Sequence, residues 1–318
     1  MNISHSSFPS QGDREVEEIR SALAQADPTG SRFGATLRET YDQLYDGQRT
    51  GRWSWEHLFK TERTHFGTLI EINLRREFVD ILTDGILLDY RINDIDVDCK
   101  YSHSGSWMIP PEAFDQVLLV VKASDDKSVW SAGVVRARRE WLNPGKNRDV
   151  KRTLNALGRS QIAWIHRDAP LPPNVLLHLD HRRLDSIVSL PSGQQRVTQL
   201  FRTVQADLIG RNTIATLGQQ KDYMKRVRAN GGARSSLKRE GIVILNGDYL
   251  LQRKTAERLG LPIPGRGYLV SSAIRPANTN DSNAEIATID GEPWVATPGV
   301  IYSHDAPLIK DDAKLTDD

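Results

Sequence analysis

The chain opens with about a dozen polar residues and then turns periodic. Across residues 13–26 (DREVEEIRSALAQA) apolar side chains recur at the spacing of one helix face. Acids crowd its first turn, where the helix dipole favours them. Asp27-Pro28-Thr29-Gly30 breaks that helix, and residues 32–44 read as a second. A third is predicted to start near Ser54, because SWEHLFKTERTHFGTLIEINLRREF keeps apolar residues three and four apart over a long run. At Asp84-Gly85, a turn signal, the texture changes. The following ILLDYRINDIDVDCKYS predicts two short strands joined tightly near Asn93-Asp94. Residues 114–122 (FDQVLLVVK) and 129–137 (VWSAGVVRA) are valine-rich and predict further strands. Helices followed by a mostly buried sheet define an α/β (α+β) domain with a mixed central sheet.

Residues 167–174 (RDAPLPPN) hold three prolines and read as a linker, so one domain is expected over 1–170 and another over 171–318. The second predicts several helices, then an apolar strand at 241–245 with Asn246-Gly247 suited to a hairpin turn. The last ten residues, IKDDAKLTDD, are expected to be a solvated tail. The chain has no internal repeat and no low-complexity tract.

A length of 318 residues suits two domains, and 38% hydrophobic with 26% charged residues suits a globular protein. The formal net charge of +1 identifies no polyanionic partner, so only local charge is informative. The lone cysteine, Cys99, excludes an internal disulfide and fits a reducing interior. The N-terminus lacks the basic start and apolar run of a signal peptide, and no stretch approaches the roughly 18 apolar residues a membrane helix needs. A cytoplasmic protein with no membrane association is expected. The eight histidines show no zinc-ligand spacing.

One segment carries chemistry. Asp98 and Lys100 are two apart on a predicted strand and share a face, and Asp89 on the preceding strand can meet them across the hairpin. Converging carboxylates repel one another, and a divalent cation offsets that cost. Hard oxygen donors favour Mg2+ over zinc. A lysine ammonium beside them can orient or help deprotonate a water, or stabilise charge on a phosphate. This resembles the PD-(D/E)xK nucleases, although Leu88 stands where a proline usually precedes the first acid. From these residues alone a charged surface hairpin is as good a reading, and Asp96 competes with Asp98 for the face of Lys100. Against the surface reading, an unpaired charge in a partly apolar strand is costly. Glu71, on the preceding helix, is the natural third acid, or else a solvated helix carboxylate.

Residues 194–258 hold thirteen basic side chains against five acids. Within them NTIATLGQQKDYMKRVRANGGARSSLKREGIVIL suggests helix, turn, helix, a glycine-rich break and a strand, the order of a winged helix-turn-helix. Lys221, Lys225 and Arg228 fall at helical spacing as one basic stripe with Arg226 beside it, and Arg234, Lys238 and Arg239 follow. Such a stripe first neutralises phosphates and then reads bases; a solvated basic face is the plainer alternative.

The sequence resembles the NaeI family of type IIE restriction endonucleases. The resemblance runs through LYDGQRTGRW (44–53), KTERTHFGTLIEINL (60–74), VDCKYS (97–102), NRDVKRTL (147–154) and QQKDYMKRVRANGGARSSLKREGIVIL (219–245). It implies an endonuclease domain followed by a catabolite-activator-like winged-helix domain. It also implies a homodimer that cuts duplex DNA at GCCGGC when a second DNA copy is bound. By matching motifs it places the catalytic acids on Glu71, Asp89 and Asp98 and the lysine on Lys100, and so favours Asp98 over Asp96. It puts Lys221 to Arg239 on the effector-DNA domain. Leu44-Tyr45-Asp46-Gly47 echoes the K-x-D-G core of DNA ligases. A leucine cannot form a phosphoamide with AMP, so cleavage alone is expected, with Leu44 a core residue of its helix. A second reading is a winged-helix DNA-binding regulator whose nuclease domain is degenerate and does not cut.

Overall fold

The computed structural model describes residues 13–145, 150–281, 284–309 and 311. The polar N-terminal dozen and almost all of the acidic tail lie outside them, as do three residues of the NRDVKRTL match. The chain forms two compact units, Met1–Leu44 with Leu58–Pro173, and Tyr45–His57 with Asn174–Asp318.

In the first unit, α1 (Arg14–Ala26) is capped by Asp13, which accepts the Val16 N–H. α2 spans Ser31–Tyr45, and Leu44 is buried on it. α3 runs over Lys60–Glu77 and starts six residues later than the periodicity suggests. The Glu62 carboxylate accepts the Phe59 N–H at 2.8 Å and so fixes the start, while Trp55–His57, which belongs to the second unit, forms only a single 3-10 turn.

The sheet follows as β1 (Thr83–Asp84), β2 (Tyr90–Ile92), β3 (Ile95–Tyr101), β4 (Val117–Ser124), β5 (Val129–Arg136) and β6 (Ala163–Pro170), in that spatial order. A short helix, α4 (Ala156–Ser160), precedes β6. The β3–β4 pairing is parallel and the others are antiparallel, so the sheet is mixed. Asn93 and Asp94 both take positive φ, which gives the tight β2–β3 turn its mirror-image geometry. β4 is buried at every position but Lys122, which explains its valine and leucine run. β6 is absent from the strands that the sequence pattern predicts. The polar start of the proline-rich segment, Arg167 to Pro170, completes it and pairs with β5.

The second unit adds α5 (His181–Val188), α6 (Gly193–Thr203), β7 (Ile209–Gly210), α7 (Arg211–Gly218), α8 (Ala233–Lys238), β8 (Ile242–Asn246), α9 (Leu250–Arg258), β9 (Tyr268–Pro276), β10 (Ile286–Ile289) and β11 (Glu292–Ala296). Its strands are all antiparallel, with β9 bonded to β7, β8 and β11. Its core gathers Leu200, Phe201, Ile214, Leu237 and Leu269.

Two expectations fail here. Asn246-Gly247 makes no hairpin; it turns β8 into α9, with Asn246 Oδ1 accepting the Asp248 N–H at 3.1 Å. Glycine is required there because an added Cβ would lie 1.9 Å from the Gly265 carbonyl. The positive-φ hairpin turn is instead Asp290-Gly291, between β10 and β11. The basic stripe also dissolves. Tyr223–Val227 is a 3-10 turn and Arg228 is extended, so Lys221, Lys225 and Arg228 share no α-helical face. Among the described residues no helix is long and apolar enough to cross a membrane.

Candidate active site

β3 brings the proposed chemistry together. Asp98 is 5% exposed, and its Oδ1 accepts from Lys100 Nζ at 2.7 Å. The same ammonium lies 3.8 Å from Asp89 Oδ2, so two carboxylates share one cation. Asp89, just ahead of β2, is held by the Cys99 N–H, which donates to its Oδ2 at 2.7 Å. Glu71 comes from α3, and that helix is tied to β2 by the Tyr90 hydroxyl, which donates to the Glu71 carbonyl at 2.6 Å.

The electrostatics follow from burial. Desolvation pushes the Asp98 carboxyl up to about 6, opposed by Lys100. Burial and then Asp89 raise Glu71, while Lys100 lowers it, so Glu71 senses both partners. Burial works against the Lys100 ammonium, but Asp98 and Asp89 outweigh it and keep the lysine protonated. Burial raises the Cys99 thiol, which leaves it an inert packing group.

Asp96 takes a different role. Its two oxygens accept the N–H groups of Ile86 and Leu87, each at 3.1 Å, and anchor the loop that leads to Asp89. The geometry therefore places Asp98, not Asp96, on Lys100. Sequence reading missed this anchor and the Tyr90 tie. An acid two residues before Asp98 gives no sign by itself of which backbone it will meet.

The basic residues of the second unit scatter. Lys221, Arg228 and Arg239 are exposed, while Lys225 pairs with Asp222 at 2.8 Å and Lys238 with Asp305 at 3.5 Å. Arg226 is half-buried against Gln220. Arg234 turns inward, donating to Gln252 Oε1 at 2.9 Å and lying 3.4 Å from Asp311. Among the described residues no three His, Cys, Asp or Glu are grouped closely enough to hold a metal ion.

An acid pair sharing a lysine on the third strand of a mixed sheet is an arrangement suited to phosphodiester hydrolysis. The model of a family described as restriction endonuclease NaeI matches residues 17–300. The type II restriction enzyme NaeI of Lentzea aerocolonigenes is 47% identical over 296 residues, 90% of this chain and 92% of that protein. The chain belongs to the NaeI restriction endonuclease family and is a site-specific endonuclease acting on double-stranded DNA. Membership decides for a cutting enzyme over a DNA-binding regulator.

Proposed function

We propose that the chain hydrolyses DNA phosphodiesters with Mg2+, using Asp89, Asp98, Glu71 and Lys100. The observation that carries this reading is the Lys100 ammonium held between Asp98 and Asp89. The donor set fits the ion. Asp98 Oδ2 is buried and has no hydrogen-bond partner among the described residues, so it keeps a free, hard oxygen. Magnesium is commonly held by one or two carboxylates with substrate phosphate and water completing its shell, so Asp89 and Asp98 suffice as its core. Glu71 feels the charges of Asp89 and Lys100 but, among the described residues, is not grouped with the two aspartates as a third ligand. When bound, the ion lowers the pKa of a water and polarises the phosphoryl oxygen. Lys100, kept protonated by its two acids, orients the attacking water and stabilises charge growing on the phosphate.

The family resemblance supports GCCGGC as the site, a homodimer, and activation by a second DNA copy on a winged-helix C-terminal domain over 171–318. The exposed Lys221, Lys225, Arg228 and Arg239 suit phosphate contacts there, with Arg226 and Lys238 beside them. Arg234, turned inward, braces that surface through Gln252 instead. Action in the cytoplasm, where cellular DNA is accessible, completes the reading. Sequencing the ends of DNA cut in Mg2+ tests the recognition site. Ends that all fall within GCCGGC are expected, and ends at another sequence would overturn that part.

A further inference from the structure

The sheet face that carries Asp98 and Lys100 continues into a cleft with no part in the chemistry above. In the parallel β3–β4 register Asp98 lies beside Leu118 and Lys100 beside Val120. Lys122, two residues on, therefore shares their face. Strand rise and spacing put its Cα about 8 Å from that of Lys100. Lys122 lines a cleft of about 670 Å³ together with Arg159, Arg167, Trp107 and Trp164.

Lys122 is the one position of β4 that is not buried, in a strand otherwise suited to a double-sided core. Its side chain is half-buried, with the stem beside the loop at Gly105 and the ammonium able to reach the cleft. Among the described residues Lys122 makes no ion pair or hydrogen bond. Its neighbour in the β4–β5 register, Ser131, is already engaged, because its hydroxyl accepts the Asp168 N–H at 2.9 Å. Arg167 lies over the Trp164 ring and reaches Asp168 only at 3.8 Å, so one acid stands against three cations. The wall is firm. Trp107 Nε1 donates to the Val121 carbonyl at 2.8 Å and pins the loop that leaves the Lys100 strand. Gly105, at φ +81°, lets that loop pass close to the Lys122 stem.

We propose that this cleft seats a backbone phosphate of the cut strand next to the scissile one, with Lys122 as the positioning cation and Arg159 and Arg167 at its mouth. The proposal rests on the catalytic reading of Asp98 and Lys100. A fixed cation one step along the strand would hold the neighbouring phosphate, and with it the bound strand, in register with Lys100, a contribution to binding made before the chemical step.

Single-turnover cleavage of a duplex carrying the site, followed against enzyme concentration and salt, tests this. Lys122→Ala should raise the half-saturating concentration about tenfold and lower the slope of log affinity against log salt by about one, with the maximal rate within about threefold. Lys122→Arg should restore both. A duplex with a neutral methylphosphonate next to the cut should weaken the wild type by a similar factor and Lys122→Ala no further. An unchanged affinity and salt slope in Lys122→Ala would overturn the proposal. So would wild-type binding indifferent to neutralising each phosphate within two steps of the cut, a test that needs no variant to fold. Lys100→Ala separates the two readings: loss of rate with affinity kept supports the catalytic one whatever Lys122 does.

Discussion

The Cys99 backbone N–H donates to Asp89 Oδ2 at 2.7 Å, and this bond fastens an acid outside the hairpin to the middle of the strand that carries Asp98 and Lys100. Asp89 thus has a structural duty as well as its charge, and two substitutions separate them. Asp89→Asn keeps an acceptor for the Cys99 N–H and should unfold in urea within about 1 kcal/mol of wild type. Asp89→Ala leaves that N–H unpaired and should cost about 1–3 kcal/mol. Both should lose cleavage, since neither offers a second charged ligand.

Asp96 and Asp98 are alike in sequence and differ in partner. Asp98→Ala should lower cleavage by about 10³-fold or more, as expected when a charge-stabilising group is removed. Asp96→Ala frees the Ile86–Leu87 backbone but leaves the Asp98–Lys100 contact, so its loss should stay within about tenfold. Equal losses in single-turnover assays would show that the loop anchor matters as much as the acid on Lys100.

Arg38 is buried against Asp125, with Asp42 as a further partner at 2.8 Å. Removing one member of a buried pair strands the other charge, which costs about 3–5 kcal/mol. Asp42 compensates in part, so Asp125→Asn should fall near the lower end of that range in urea unfolding. Glu17→Gln, which breaks the exposed Arg20 pair, should change stability by less than about 1 kcal/mol.

Acid should loosen the seat of α1. The Arg136 guanidinium holds the Asp13 carboxyl below its ordinary range. A depressed carboxyl contributes stability above its unfolded pKa of about 3.9, and that contribution fades as pH falls through the lower folded value. Asp13→Asn should therefore reduce stability at pH 7 and show a shallower decline below about pH 4. Parallel acid titrations followed by circular dichroism check this. A steeper decline in the variant would contradict the assignment.

The sequence pattern made the helices at α1 and α2 and the β2–β3 hairpin plain, because each rests on local periodicity or on a turn residue tolerant of positive φ. It misled where tertiary contact overrides local preference. Asn246-Gly247 has hairpin chemistry, yet the close Gly265 carbonyl explains its glycine. The 221–228 spacing is helical on paper, but the chain leaves the α conformation before Arg228. In the site, the common face of Asp98 and Lys100 follows from strand alternation. The choice between Asp96 and Asp98 does not, since it depends on which backbone N–H groups the loop from Gly85 presents. Arg234 looked like a phosphate contact by composition, and only packing shows it turned toward Gln252.

In the proposed mechanism Lys100, held by Asp98 and Asp89, drives cleavage rather than DNA binding. Single-turnover cleavage of a duplex containing the recognition site, in Mg2+, with DNA affinity measured alongside for wild type and Lys100→Ala, tests it most directly. Wild type should cut, chelating the metal should stop it, and Lys100→Ala should bind the duplex with affinity within about threefold while cutting at least about 10³-fold more slowly. A Lys100→Ala protein that cuts at near the wild-type rate would contradict this mechanism.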